Sequence, residues 1–155
     1  MNAFKEMGVE ITEENKKIII NGKGLESLKK PNKEIYLGNS GTSARLLTGL
    51  LASQNFESVL TGDKSLSSRP MKRITNPLSE MGAEIITKDG KLPLHINGKV
   101  LNNCKIEIDI PSAQIKSGLI LAALNTEGTS YINEKHHLNL KYWKFHKCHL
   151  KLKEL

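Results

Sequence analysis

Two parts of the sequence repeat each other, and this duplication restricts the architectures that the chain can adopt. Four pairs of segments match in the same order along the chain: Glu6–Ile11 with Glu80–Ile85, Ile20–Leu25 with Ile96–Leu101, Ile35–Leu37 with Ile106–Ile108, and Thr48–Leu50 with Ser117–Leu119. The second pair is identical at five of six positions, and the offsets are 74, 76, 71 and 69 residues. Because this unit is longer than the repeat of a solenoid protein, the pattern predicts a duplicated α/β subdomain.

Within each copy, extended segments alternate with helical ones. A Met-Gly pair, as at Met81-Gly82, predicts a helix end with glycine in the C-cap position. Asp89-Gly90 between two apolar runs predicts the turn of a β-hairpin. The second copy predicts these elements in order: strands at Ala83–Thr87, Leu92–Ile96 and Lys105–Ile110, a helix at Ser112–Leu124, and a strand at Thr129–Ile132. The helix at 112–124 is apolar on nearly all sides, which favours burial between sheets.

The stretch Gly38–Arg45 is the segment whose residue types most strongly indicate a binding site. It joins an extended apolar segment, Ile35–Leu37, to a run typical of a helix, Leu46–Ala52. Glycine, serine and threonine before a helix leave backbone N–H groups at the positive end of the helix dipole, where a carboxylate or phosphate is favoured. The same residues also fit a well-capped helix after a tight turn, so both interpretations stay open at this point.

The composition is that of a soluble globular domain. Of the 155 residues, 38% are hydrophobic and 25% charged, and no apolar run approaches the ~20 residues that span a bilayer. No charged leader with an apolar core opens the chain, so we expect no export and a cytoplasmic location. Cys104 and Cys148 lack the spacing of a metal or redox site, and we expect them to be reduced thiols.

The positive charge of the chain is concentrated in its C-terminal tail. Residues 135–155 hold six lysines and one glutamate, whereas residues 1–134 carry 17 basic and 15 acidic side chains. The repeat does not continue into the tail. We therefore divide the chain into a partial domain at 1–134, whose two incomplete units meet near residue 100, and a basic tail at 135–155 foreign to the pattern. The alternation of lysine and leucine in Leu150–Lys153 fits an edge strand or disorder.

Histidine and cysteine side chains also cluster in the tail, at His136, His137, His146, Cys148 and His149. Their spacing matches no recognised zinc-ligand pattern, so we assign no metal site. Lysines interleaved with aromatic residues can bind nucleic acid. A non-catalytic anion-binding or interaction module with a nucleic-acid-binding tail is thus the alternative to an enzyme, although a solvated terminus explains the same charges.

Three segments, taken together, carry a family resemblance. They are Gly38–Arg45, the loop Gly62–Met71 with its Ser-Arg-Pro-Met motif, and Pro111–Ser117. In this order they resemble the 5-enolpyruvylshikimate-3-phosphate (EPSP) synthases, the carboxyvinyltransferases of the shikimate pathway of aromatic amino-acid biosynthesis. The likeness runs from about Phe4 to Glu134. The related UDP-N-acetylglucosamine enolpyruvyl transferases are not expected to carry Gly-Asn-Ser-Gly-Thr, and their reactive cysteine loop has no counterpart here.

The resemblance implies substrate-binding roles for five residues. Gly41 matches the glycine whose backbone lies against phosphoenolpyruvate, and Arg69 matches the arginine that binds the charged groups of that ligand. Ser112, Ala113 and Gln114 match the segment that holds shikimate 3-phosphate, with Gln114 in contact with both substrates. The residue types agree with these roles, since a guanidinium offers a planar fork of donors to a carboxylate or phosphate.

Each of these motifs also has a purely structural interpretation. Arg69 fits a surface arginine before a helix whose first residue is Pro70. Ser112 fits a helix N-cap, although capping and ligand binding are compatible because both use the same end of the helix.

The resemblance implies a fold and a reaction that this chain can support only in part. The fold is α/β, with repeated βαβαββ-type subdomains of the enolpyruvyl transferase fold forming part of one inside-out α/β domain. The reaction transfers the enolpyruvyl group of phosphoenolpyruvate to the 5-hydroxyl of shikimate 3-phosphate and releases phosphate, with no cofactor and no metal. The family enzyme has two domains with the substrates between them, so this chain is expected to supply part of one wall.

Several parts of the family pattern have no match in the chain. They are the Lys-Ser and arginine segment near the family's start, the Ser-Arg element after Asn133-Glu134, and the whole second domain with its catalytic carboxylates. We therefore assign no catalytic residue, since addition and elimination require positioned acid and base groups. We expect the isolated chain to be an inactive fragment that binds anions weakly and is marginally stable, with apolar faces uncovered.

Overall fold

The computed structural model describes residues 2–134, 141–146 and 149–154. In this part of the chain five α-helices are present: α1 Asn2–Glu6, α2 Gly41–Ala52, α3 Lys64–Ser68, α4 Lys72–Glu80 and α5 Ala113–Ala123. Ten β-strands accompany them: β1 Glu10–Glu14, β2 Lys17–Asn21, β3 Ile35–Tyr36, β4 Glu57–Thr61, β5 Glu84–Lys88, β6 Lys91–Asn97, β7 Lys105–Ile108, β8 Thr129–Glu134, β9 Lys141–His146 and β10 His149–Glu154. A 3-10 turn at Leu25–Ser27 follows β2.

The two copies of the sequence repeat have the same order of elements. This order is helix, hairpin, strand, helix, strand. In the first copy the elements are α1, β1–β2, β3, α2 and β4, and in the second copy they are α4, β5–β6, β7, α5 and β8. Gly8 and Gly82 follow α1 and α4 with φ of +83° and +88°, the left-handed conformation of a glycine C-cap. The hairpin predicted around Asp89-Gly90 is confirmed, since β5 pairs antiparallel with β6.

Each copy contributes one parallel strand pair to a four-stranded sheet. β3 pairs with β4, and β7 pairs with β8, so that Ile108 lies opposite Glu134. An antiparallel hairpin completes each sheet, in the orders β3-β4-β6-β5 and β10-β9-β8-β7. Of the two alternatives for Leu150–Lys153, the structure has the edge strand, β10. The division of the chain at residue 134 stays a prediction.

The contact between α2 and α5 lies at the centre of the hydrophobic core. Leu47, Leu50 and Leu51 of α2 are buried, as are Ile115 and Leu119 of α5. The two helices approach closely because each has a glycine at the contact. A Cβ atom added to Gly49 would collide with the carbonyl oxygen of Gly118.

The helix predicted at 112–124 is buried on one face rather than on nearly all sides. Its buried residues are Ile115, Gly118, Leu119, Ala122 and Ala123, while Ile120 and Leu121 are half-buried and Ala113 is exposed. The main contact of α5 is the helix α2, and its contacts with α4 and the strand β8 are smaller. Its apolar composition therefore reflects close helix packing more than enclosure by sheets.

Apolar surface is left uncovered on β2 and beside α2, among other places, as the sequence predicts. Ile18, Ile19 and Ile20 of β2 are 54%, 43% and 60% exposed, and β1 and β2 form a two-stranded sheet of their own. Beside α2, a groove of about 700 Å³ is lined mainly by apolar residues that include Phe4 and Leu121. Surface of this kind favours association with other protein. No described helix is both long enough and apolar enough to cross a membrane.

Candidate functional site

The first turn of α2 is the centre of the candidate site. Ser40 precedes the helix in an extended conformation, and its Oγ accepts a hydrogen bond from the Ser43 N–H at 3.2 Å. Gly38 has φ of +56°, and its carbonyl oxygen accepts from the Asp63 N–H at 2.9 Å, which joins this loop to the start of α3. The predicted cap is therefore present. Since the first N–H groups of a helix have no partner within it, donors remain for an anion beside Gly41.

Arg69 reaches this turn from the loop that follows α3. Asp63 caps α3 by accepting the Leu66 N–H at 2.7 Å, and Arg69 is the C-cap of the same helix. The Arg69 Nη2 donates to Asn39 Oδ1 at 2.6 Å, which holds the guanidinium against the Gly38–Arg45 segment. The next helix, α4, begins at Lys72 with Met71 as its N-cap, so Pro70 is not its first residue.

Gln114 joins the site from the first turn of α5. Its Oε1 accepts from the Arg45 Nη1 at 2.8 Å, and its Nε2 donates to Thr42 Oγ1 at 2.9 Å. The same Arg45 Nη1 also donates to the carbonyl oxygen of Gly41 at 3.2 Å. Both ends of the Gln114 amide are therefore held by α2, and the starts of two helices meet at one point.

Two guanidinium groups lie against Gly41. A Cβ atom on this glycine would lie 2.9 Å from the Arg45 Nη1 and 3.0 Å from the Arg69 Nη1. Burial lowers the pKa of Arg45 below its ordinary value, and the positive charges of Arg73 and Arg69 lower it further. Positive charge is thus concentrated at a helix N-terminus, an arrangement that favours an anionic ligand.

The start of α5 has a different set of contacts. Ser112 is the N-cap, and its Oγ accepts from the Ile115 N–H at 3.5 Å. The Ser112 N–H donates to Glu134 Oε1 at 3.2 Å, and Glu134 Oε2 accepts from the Lys116 Nζ at 2.7 Å. Ser112 is therefore tied to the end of β8 rather than to the cluster around Gly41.

A family model for EPSP synthase (3-phosphoshikimate 1-carboxyvinyltransferase) matches residues 1–142. The chain belongs to the EPSP synthase family. The fold predicted from the sequence is confirmed by an EPSP synthase structure from Acinetobacter baumannii, which is similar with a TM-score of 0.83 and 44% identity. That match covers 88% of this chain and 32% of the other.

Curated EPSP synthase relatives are similar over the same part of the chain. The 3-phosphoshikimate 1-carboxyvinyltransferase of Thermodesulfovibrio yellowstonii is 51% identical over 139 residues, and that of Citrifermentans bemidjiense is 47% identical over 138 residues. Each alignment covers 88% of this chain and 32% of the relative. The chain thus spans about a third of the length of the EPSP synthases that it matches. The sequence predicts that the chain belongs to a transferase family and represents only part of that family's enzyme. Both predictions are confirmed.

The structure brings together three of the five residues that the EPSP synthase resemblance singled out. Gly41, Arg69 and Gln114 meet at the start of α2. Ser112 and Ala113 come directly before Gln114, at the start of α5. Their roles as substrate ligands stay predictions, since no ligand contact tests them.

Four further residues make contacts at the candidate site. Asn39, Thr42 and Arg45 belong to the Gly38–Arg45 segment, and their polar or charged side chains are the sequence signal that indicates them. Glu134 had no signal in the sequence, because its contact with Ser112 depends on how β8 lies beside α5.

Within the described residues, no group of three or more His, Cys, Asp or Glu side chains is arranged to hold a metal ion. His136, His137 and Cys148 of the tail lie outside the described residues. The hypothesis about a histidine and cysteine cluster there is therefore not tested by the structure.

Proposed function

We propose that this chain supplies one wall of the EPSP synthase substrate site. Gly41 and Arg69 bind phosphoenolpyruvate, and Ser112, Ala113 and Gln114 bind shikimate 3-phosphate, with Gln114 in contact with both. The observation that carries the proposal is the close approach of the guanidinium groups of Arg45 and Arg69 to Gly41. A small ligand with a carboxylate and a phosphate matches paired guanidinium donors at a helix N-terminus.

In the complete enzyme, we propose that these residues position the substrates for enolpyruvyl transfer. A bond forms between the 5-hydroxyl oxygen of shikimate 3-phosphate and the enolpyruvyl carbon. The bond from that carbon to phosphate breaks, and phosphate leaves with the proton of the hydroxyl. No acid or base among the described residues is assigned a role in this reaction. We therefore expect the 155-residue chain to bind the substrates without converting them.

The remaining two-thirds of the enzyme is the partner that this proposal requires. The uncovered apolar groove beside α2 and the exposed isoleucines of β2 agree with a chain that packs against further protein. A cytoplasmic location follows from the same proposal, because ionised phosphate esters do not cross an apolar bilayer unaided.

A titration of the purified chain with phosphoenolpyruvate, followed by amide chemical shifts, tests the site. We expect the Gly41, Thr42 and Gln114 signals to move, and Arg69→Gln to raise Kd by about tenfold through loss of one charge-assisted contact. Lys91→Gln removes a positive charge from an exposed strand position and serves as the matched control.

Two results would contradict the proposed function. One is a titration in which Arg69→Gln and Lys91→Gln weaken binding equally, because binding would then depend on net charge alone. The other is phosphate release by the 155-residue chain that requires both substrates, because the chain would then be a complete catalyst.

A further inference from the structure

Glu134 is a buried carboxylate beside the start of α5, and none of the assigned roles uses it. It is the last residue of β8, and its side chain is 10% exposed. Its Oε2 lies 2.7 Å from the Nζ of Lys116, whose side chain is 24% exposed. A buried ion pair needs further hydrogen bonds to offset the loss of hydration, and Glu134 has one in the Ser112 N–H.

These contacts determine which groups of Ser112 are left for a ligand. The Ser112 N–H is taken by Glu134 Oε1 at 3.2 Å. The Ser112 Oγ accepts the Ile115 N–H at 3.5 Å, as an N-cap does. The hydroxyl proton then remains as the donor that Ser112 can offer to an anion. Its direction depends on how firmly the Ser112 backbone is held.

The sheet provides the rigid support for this contact. Glu134 lies opposite Ile108 in the parallel pair of β7 and β8, and Ile108 is buried. The chain passes from β7 through Pro111 to Ser112, so Glu134 joins the strand at one end of this connection to the helix at the other. A carboxylate at this position is also favoured by the dipole of α5.

We propose that Glu134 is a positioning residue that holds Ser112 in the orientation required to bind shikimate 3-phosphate. It acts through the Ser112 backbone and through Lys116, without touching the substrate. This inference rests on the proposed function, because it assumes that the 112–114 segment binds that substrate.

Glu134→Gln tests the proposal while preserving the size of the side chain. An amide can still accept the Ser112 N–H through its oxygen, but its NH₂ group then faces the Lys116 ammonium, where two donors meet. We expect Kd for shikimate 3-phosphate to rise roughly three- to tenfold and exchange of the Ser112 amide hydrogen to accelerate by a similar factor. Kd for phosphoenolpyruvate should change far less, since Gly41 and Arg69 lie outside α5 and the Gln114 amide is held by Arg45 and Thr42 of α2.

Glu13→Gln, the same change at an exposed position of β1, is the matched control, and both readouts should stay near those of the parent chain. If Glu134→Gln does not fold, Lys116→Leu removes the partner of the carboxylate and should accelerate Ser112 exchange in the same way. A folded Glu134→Gln with unchanged exchange and unchanged affinity would overturn the proposal. Equal loss of affinity for both substrates would also overturn it, because that result indicates general structural damage.

The exchange measurement needs no ligand, so it separates this inference from the proposed function. Failure of the parent chain to bind shikimate 3-phosphate would refute the assumed role of the 112–114 segment. Unchanged exchange at Ser112 in Glu134→Gln would instead refute the positioning role of Glu134.

Discussion

The Arg45 Nη1 donates a hydrogen bond to Gln114 Oε1 across 2.8 Å and so joins the first turn of α2 to the first turn of α5. The two residues are 69 positions apart in the sequence and belong to different copies of the repeat. Because Thr42 accepts from the other end of the same amide, the orientation of Gln114 is determined by α2. The proposed binding sites for the two substrates therefore share one hydrogen-bonded connection.

Loss of the Arg45 guanidinium should weaken both proposed binding sites together. Arg45→Gln removes a charge-assisted hydrogen bond, a contact worth about 1.5–3 kcal/mol. We expect Kd for phosphoenolpyruvate and for shikimate 3-phosphate each to rise at least about tenfold in calorimetric titrations. Lys88→Gln, at an exposed strand position, is the charge-matched control. Weaker binding of only one substrate would show that Arg45 does not connect the two.

A methyl group at Gly41 should impair binding more than stability. In Gly41→Ala the Cβ would lie within about 3.0 Å of the terminal nitrogens of Arg45 and Arg69, which are flexible side-chain ends and can move aside. We expect the free energy of unfolding to change by less than about 0.5 kcal/mol, while Kd for phosphoenolpyruvate rises at least about tenfold. Gly22→Ala adds a methyl group in open space and should change neither quantity. An unchanged Kd in Gly41→Ala would contradict the close approach proposed for this backbone.

A methyl group at Gly49 should have the opposite effect, lowering stability first. The Cβ of Gly49→Ala would meet the carbonyl oxygen of Gly118, which belongs to the backbone of a packed helix and cannot rotate away. The helices must separate, and overpacking of this kind costs about 1–3 kcal/mol. Thermal unfolding followed by circular dichroism should show a midpoint several degrees below that of the parent chain and of Gly22→Ala. Equal midpoints would mean that α2 and α5 are not in close contact in solution.

Cys104 should react slowly with alkylating agents. Burial raises the pKa of its thiol, the negative charge of Glu80 adds to this effect, and a hydrogen bond with Ser130 partly opposes it. In a Cys148→Ser background, iodoacetamide at pH 8 should modify folded chain at least about tenfold more slowly than chain in urea, as mass spectrometry can follow. Equal rates in the folded and unfolded states would contradict the raised pKa.

The sign of the accompanying pH effect follows from the same shift. A thiol whose pKa is raised by folding loses its proton first in the unfolded state. The chain should therefore lose stability as the pH rises above the unfolded thiol pKa of about 8.5. Cys104→Ala should not show this part of the decline, which urea unfolding at pH 7 and pH 9.5 can measure.

The sequence by itself determined the elements and the family. A Met-Gly pair ends a helix and an Asp-Gly pair forms the turn of a hairpin, and both effects depend on a few adjacent residues. The helix end at Gly82 and the β5–β6 hairpin could therefore be predicted. The Gly38–Arg45 motif likewise predicted a capped helix with an anion-binding end, and the cap at Ser40 is present.

Only the tertiary structure decided which of these elements meet. The apolar pattern of the helix at 112–124 could not show that another helix, α2, is its main contact, because the glycines that permit this approach, Gly49 and Gly118, lie in different copies of the repeat. The same holds for Glu134 and Ser112. A hydrogen bond has no periodicity in sequence, and this one exists because parallel pairing of β7 with β8 places a strand end beside a helix start.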